Sequence, residues 1–123
     1  MRLATIWFEG EEHLAICEKS GFFRIKDLNK AFQSQWPDSM EIMIKTDQIF
    51  SLNDWYGQGG GRESAKMQHL FINGKECTYA PLYRHPSKIW GIGLNYSAHA
   101  KDLSEKPPTS APASFMKPDT TII

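Results

Sequence analysis

Arg2-Leu3-Ala4-Thr5-Ile6-Trp7-Phe8-Glu9-Gly10-Glu11-Glu12-His13-Leu14-Ala15-Ile16-Cys17-Glu18-Lys19-Ser20-Gly21-Phe22-Phe23-Arg24-Ile25 opens the chain and decides its fold. Residues 2–8 are β-branched and aromatic in character and read as a strand. Glu9-Gly10-Glu11-Glu12 is a turn, and Leu14 and Ile16 then alternate with Ala15 and Cys17 in a second strand. Ser20-Gly21 makes another turn ahead of Phe22-Phe23-Arg24-Ile25. Three short strands joined by turns predict an antiparallel meander.

Downstream the pattern becomes helical. Asp27 is placed to cap a helix with Leu28, Ala31 and Phe32 on one face. Trp36-Pro37 should end it, because the residue before proline avoids the α region. Asp38-x-x-Glu41 has the form of a capping box for a second helix, with Met40, Met43 and Ile44 inward. Asp47 starts a third, carrying Ile49, Leu52 and Tyr56 toward the core. Gly57-Gln58-Gly59-Gly60-Gly61 then reads as a flexible loop, since a phosphate cradle would need a preceding strand and a following Lys-Ser/Thr. Leu70 to Lys75 reads as a hairpin, its Asn73-Gly74 pair suiting a type I′ turn.

Six of the seven prolines lie from Pro81 onward, which puts a domain boundary near residues 80–87. The expected fold class is α+β: a small N-terminal domain over 1–80, then a linker and the beginning of a second, truncated domain over 81–123. Acidic and basic residues balance at fourteen each, so no basic excess points to nucleic acid. The apolar runs fall short of the ~18 residues a membrane span needs. Met1 to Trp7 meets Glu9 too early for a secretory h-region. Cys17 and Cys77 are far apart in sequence and read as reduced packing residues rather than a disulfide or metal pair. These features predict a soluble cytoplasmic protein.

Most residue types capable of chemistry have a plain reading. Glu9-x-Glu11 has the spacing of a two-carboxylate metal pair, but beside Gly10 it fits a solvated hairpin tip. His13, His69 and His85 stand apart from other ligand-type residues and read as surface or strand histidines. Gly91-x-Gly93 begins like a dinucleotide-binding loop, yet the third glycine and the acidic residue are missing. The glycines are expected to turn the backbone and leave room near a ligand.

The exception is Ile89-Trp90-Gly91-Ile92-Gly93-Leu94-Asn95-Tyr96-Ser97-Ala98-His99-Ala100-Lys101-Asp102. A strand should lead through the glycines into a helix on which His99 and Asp102, three apart, share a face. A carboxylate beside an imidazole fixes the tautomer of a general base. A solvated surface pair is the competing reading. Residues 103–110 read as a mobile segment that lets the helix close as a lid. Lys117, alone after Phe115 and Met116, is either a surface lysine or a cation facing a pocket, where it could hold a carboxylate or an enolate oxygen. A further strand is expected to run into Ile123.

Together, "KIWGIGLNYSAHAKDL…PPTSAPASFMKPDT" resembles the opening of the catalytic domain of the fumarylacetoacetate hydrolase family, in which Gly-x-Asn-Tyr-x-x-His-x-x-Glu is followed by a Pro-rich stretch and Phe-x-Lys-Pro. The matching residues are Gly93, Asn95, Tyr96, His99, Phe115, Lys117 and Pro118, and residues 79–88 resemble the family's interdomain linker. The resemblance covers the last 45 residues or so, and the N-terminal domain only by length and element order. Asp102 stands where the family commonly has Glu, and Glu105 is a second candidate partner.

The resemblance implies metal-dependent chemistry on small oxo-acids, above all C–C bond hydrolysis of acylpyruvate-type substrates. Decarboxylation or keto-enol isomerisation of dicarboxylic oxo-acids is the alternative, and a non-catalytic accessory module the second. His99, Asp102 and Lys117 would be catalytic, with Gly93, Asn95 and Tyr96 binding substrate. The family's Mg²⁺ or Mn²⁺ ligands, a Glu-x-Glu pair and an Asp, would lie beyond Ile123, so the chain is expected to be an N-terminal fragment, inactive alone, of an enzyme that is commonly a homodimer.

Overall fold

Strands β1 (Leu3–Phe8) and β2 (Glu11–Cys17) pair antiparallel from Leu3 opposite Ile16 to Phe8 opposite Glu11. Only Glu9 and Gly10 are left to turn the chain, and both take positive φ, 52° and 83°. That is the twist a two-residue type I′ hairpin requires. Glycine accepts it freely, and the Glu9 side chain pairs with Arg24 at 3.0 Å. A third strand, β3 (Gly21–Arg24), pairs with β2 and completes the expected meander. The computed structural model describes residues 1–82, 84–93, 106, 111 and 113–121.

Period-two alternation gives the sheet two apolar faces. Leu14, Ile16 and Phe23 belong to one buried cluster, with Leu3 packed against it; Ala4, Ile6, Ala15 and Phe22 belong to another, with Phe8 and Cys17 against it. Helices cover the first face: α1 (Ile25–Phe32), α2 (Met40–Lys45) and α3 (Gln48–Trp55) contribute the buried Ile25, Leu28, Met40, Met43 and Leu52. Strands with helices packed on one face make the chain α+β, as expected.

The helix ends depart from expectation by a residue or two. Arg24, not Asp27, is the N-cap of α1; Asp27 lies in the first turn and pairs back to the Arg24 side chain. The helix stops at Phe32, ahead of Trp36-Pro37, because Gln33 turns left-handed at φ 52°. The N-cap of α2 is Ser39, so Glu41 sits one position too early to close a capping box and instead pairs with Lys45. A six-residue helix shows only a narrow stripe to the core, which takes Met40 and Met43 and leaves Ile44 exposed. In and just after α3, Leu52 is buried while Ile49 and Tyr56 pack at the edge of the core, the expected face.

The glycine run is not a loop. Tyr56–Gly60 forms a π-helical turn, kinked at Gly59 (φ 133°), which continues into α4 (Gly61–Lys66). A Cβ on Gly60 would lie 2.4 Å from the Trp55 ring, and one on Gly61 2.6 Å from the Tyr56 ring, so the small residues let the helical chain pass against two aromatics. A 3₁₀ turn (Gln68–Leu70) then leads into β4 (Phe71–Asn73).

Nor do β4 and β5 (Thr78–Tyr79) form a hairpin: β4 pairs with β3 and β5 with β1, giving the order β4-β3-β2-β1-β5. Neither Asn73 nor Gly74 has positive φ. Instead the Asn73 side chain accepts from Lys75 N at 3.0 Å and Asn73 O from Glu76 N at 2.9 Å. The link also bends the sheet. Five Cα steps from Asn73 to Thr78 span at most about 18 Å, and four strand spacings in a flat sheet would need about 19 Å. Since that link contains a turn, the sheet must curl. After β5, Ala80 N donates to Thr5 O at 3.0 Å and the buried Thr5 hydroxyl donates to Leu82 O at 2.6 Å.

Backbone contacts divide the chain into Met1–Tyr83 and Arg84–Ile123. In the second unit β6 (Ile89–Gly93) and β7 (Ala113–Lys117) pair antiparallel, from Ile89 opposite Lys117 to Gly93 opposite Ala113. A 3₁₀ turn over Asp119–Thr121 follows β7, where another strand was expected. No described helix is long and apolar enough to cross a membrane.

Candidate functional site

The β6–β7 ladder brings residues 89–93 and 113–117 together. Gly91 and Gly93 do not turn the backbone; both are strand residues. Gly91 lies opposite Phe115, and a Cβ there would come within 2.4 Å of the ring. The room this glycine leaves is taken by Phe115 rather than by a ligand. Gly93 and Lys117 share a face but sit at opposite ends of the ladder, four residues or about 13 Å apart along the strands, so they do not converge.

Lys117 closes β7, and its Nζ lies 5.9 Å from the Phe115 ring centroid, within cation–π range. It is exposed and borders a groove of about 620 Å³, whose lining includes Lys88, Ile89, Met116 and Pro118. Lys117 is thus an exposed lysine at the edge of a groove. Lys88 is the residue that sequence reasoning passed over, as part of a linker. Its signal was position, one residue before β6, whose first residue Ile89 lies opposite Lys117. Two ammonium groups beside the apolar Ile89 and Met116 suit a small anion with an apolar body. Asn95, Tyr96, His99, Asp102 and Glu105, and the helix and lid expected there, lie outside the described residues.

The other candidates are structural. Glu9 pairs with Arg24 and Glu11 with Lys26 at 4.0 Å, so the two carboxylates answer different cations. Burial opposes the Arg24 charge, but Asp27 and Glu9 outweigh it and raise its pKa further. His13 is a buried strand residue whose Nε2 lies 3.2 Å from Phe8 O. A carbonyl can only accept, so Nε2 carries the proton. Burial, then Lys26 and Arg24, hold its pKa below the usual imidazole value against the pull of Phe8 O and Glu11. His69 and His85 are exposed. Cys17 and Cys77 are free thiols, each pushed up chiefly by burial and so poorer nucleophiles than an open cysteine. Among the described residues no three His, Cys, Asp or Glu side chains gather to hold a metal ion.

No protein-family model and no curated protein matches this chain.

Proposed function

We propose that residues 81–123 are the opening part of a fumarylacetoacetate-hydrolase-type catalytic domain acting on small oxo-acids, with C–C bond hydrolysis of acylpyruvate-type substrates as the reaction. The observation that carries this reading is the β6–β7 ladder, which sets Ile89–Gly93 against Ala113–Lys117 and leaves Lys117 and Lys88 on one groove. Two cations at the end of a strand pair suit the carboxylate of an oxo-acid, or the negative charge that grows on an enolate oxygen.

In this reading His99 moves a proton or activates water and Asp102 fixes its tautomer. Lys117, with Lys88 beside it, steadies substrate charge, while Gly93, Asn95 and Tyr96 shape the binding loop. Such chemistry uses Mg²⁺ or Mn²⁺ in the intact enzyme as a Lewis acid. Among the described residues no three His, Cys, Asp or Glu side chains gather to hold that ion. A homodimer in the cytoplasm is the assembly and compartment proposed, the latter consistent with two free thiols.

The test uses the protein expressed from its complete source gene. With Mg²⁺ or Mn²⁺ supplied, acetylpyruvate and water should give acetate and pyruvate, and His99→Ala should lower kcat by about 10²–10⁴. An unchanged kcat removes His99 from the mechanism. Pyruvate and CO₂ from oxaloacetate, or ketonisation of an enol without cleavage, would move the assignment to a decarboxylase or an isomerase. A stop codon directly after Ile123 would overturn the enzyme reading in favour of an accessory module.

A further inference from the structure

The curl of the five-stranded sheet creates a second groove, in the unit Met1–Tyr83. Phe22 of β3 and Tyr79 of β5 meet edge to face, ring centroids 5.6 Å apart and planes at 84°. Beside them opens a groove of about 620 Å³ whose lining includes Phe22, Cys77, Tyr79, Lys19, Lys75 and Glu18. That volume is in the range of small-molecule sites.

We propose that this groove binds a small aromatic carboxylate, its ring on the Phe22–Tyr79 pair and its carboxylate between Lys19 and Lys75. Tyr79 is 73% exposed although it is a large aromatic on a two-residue edge strand. Its contact with Phe22 holds the ring in place, so a ligand stacking there costs little side-chain ordering. The two lysines come from different loops, Lys19 between β2 and β3 and Lys75 between β4 and β5, and neither pairs with a described carboxylate.

Glu18 is the carboxylate in the lining, and one of its oxygens already accepts from the Tyr56 hydroxyl. The lining charge is therefore two cations against one engaged anion, which favours an acid over a neutral or cationic ligand. Cys77, its thiol pushed up by burial and then by Glu76, offers a soft contact rather than a nucleophile. The groove is thus built for binding, not covalent chemistry, and the proposal is independent of the reaction assigned to residues 81–123.

The full 123-residue chain, labelled with ¹⁵N, is titrated with phenylacetate, with the neutral isostere phenylacetamide and with ring-free acetate. Phenylacetate should give saturable amide shifts centred on Gly21, Asn73, Gly74 and Thr78. Its affinity should fall about five-fold in a Lys19→Ala/Lys75→Ala variant, what two exposed ion pairs are worth, and by a similar factor for phenylacetamide. Both lysines are exposed, so the variant's own spectrum reports that the fold is kept. Tyr79→Ala should weaken phenylacetate and leave acetate unchanged. Shifts that fail to saturate, an affinity indifferent to the lysines, or acetate binding as tightly as phenylacetate would each overturn the proposal.

Discussion

The Asn29 side chain brackets the backbone of Trp36, its Nδ2 donating to Trp36 O at 2.7 Å and its Oδ1 accepting from Trp36 N at 2.9 Å. The same oxygen takes a bond from Ser34 Oγ at 3.0 Å. One amide thus returns the chain after α1 and presents Trp36 to the core cluster around Trp55. Asn29→Ala should lower stability by roughly 2–3 kcal/mol, at about 1 kcal/mol for each bond lost. Asn29→Asp keeps the acceptor and should cost less. Urea unfolding of the two variants checks the order, and equal losses would show that the bonds accepted by Asn29 Oδ1 contribute nothing.

The Tyr56 hydroxyl donates to Glu18 at 2.5 Å, fastening the π-helical turn to the loop after β2. That bond, then burial, then the Glu18 charge push the Tyr56 pKa up from 10.0 to about 12. The folded value lies above the unfolded one, so the stabilisation is complete below pH 10 and is lost as pH rises toward 12. In an ultraviolet titration of phenolate, a late step near pH 12 should appear, and Tyr56→Phe should remove it. If the variant retains it, the late tyrosine is another one.

His13 titrates in the opposite sense. Its folded pKa is lowered beneath 6.5, first by burial, so the unfolded chain takes up a proton before the folded one does. Its contribution is complete above pH 6.5 and falls as the solution is acidified, by at most about 1.4 kcal/mol per pH unit. His13→Leu should flatten the denaturation midpoint between pH 7 and pH 5, the acid-side window below 6.5. An unaltered slope would show that His13 does not set the acid sensitivity.

Gly91 and Phe115 form a coupled pair across the β6–β7 ladder. Gly91→Val should destabilise the strand pair while Phe115 is present, because the new side chain needs the space of the ring. In a Phe115→Ala background the same change should be neutral or favourable, since valine suits a strand better than glycine. A double-mutant cycle read by amide exchange in β6 should give a coupling of about 1 kcal/mol, inside the usual range for contacting residues. A coupling of zero would mean that Phe115 leaves Gly91 without cost.

The meander was legible because alternation and a Glu-Gly turn are local signals, each readable within a few residues. The cores of the helices were legible for the same reason, through Leu28, Met43 and Leu52. Their ends were not, because a cap depends on one-residue register: moving the N-cap from Asp38 to Ser39 is enough to dissolve a capping box. Asn73-Gly74 misled because strand partners are chosen over long range, β3 and β1 taking the two strands that local turn chemistry would have joined. The glycine run misled because glycine's flexibility hid its small size, which is what Trp55 and Tyr56 use.

At the candidate site, Lys117 was visible as a cation isolated among apolar residues. Lys88 was not, since it becomes its neighbour on the groove only when the ladder forms. The His99–Asp102 pair rests on spacing and resemblance alone.

The division at Tyr83 has a calorimetric consequence. Ile6, Ile16, Ile25, Leu28, Met43 and Leu52 are essentially sealed from water, whereas no described residue after Tyr83 is buried, and Trp90, Ile92 and Met116 are each at least 60% exposed. Hydration of newly exposed apolar surface sets the heat-capacity change of melting. Melting of the 83 residues of the first unit should raise the heat capacity by about 1.0–1.2 kcal/mol/K. A chain of 123 residues packed throughout would give about 1.5–1.8 kcal/mol/K. A scanning calorimeter separates the two values, and the lower one would mean that the strand pair bearing Lys117 brings almost no sealed surface of its own to the transition.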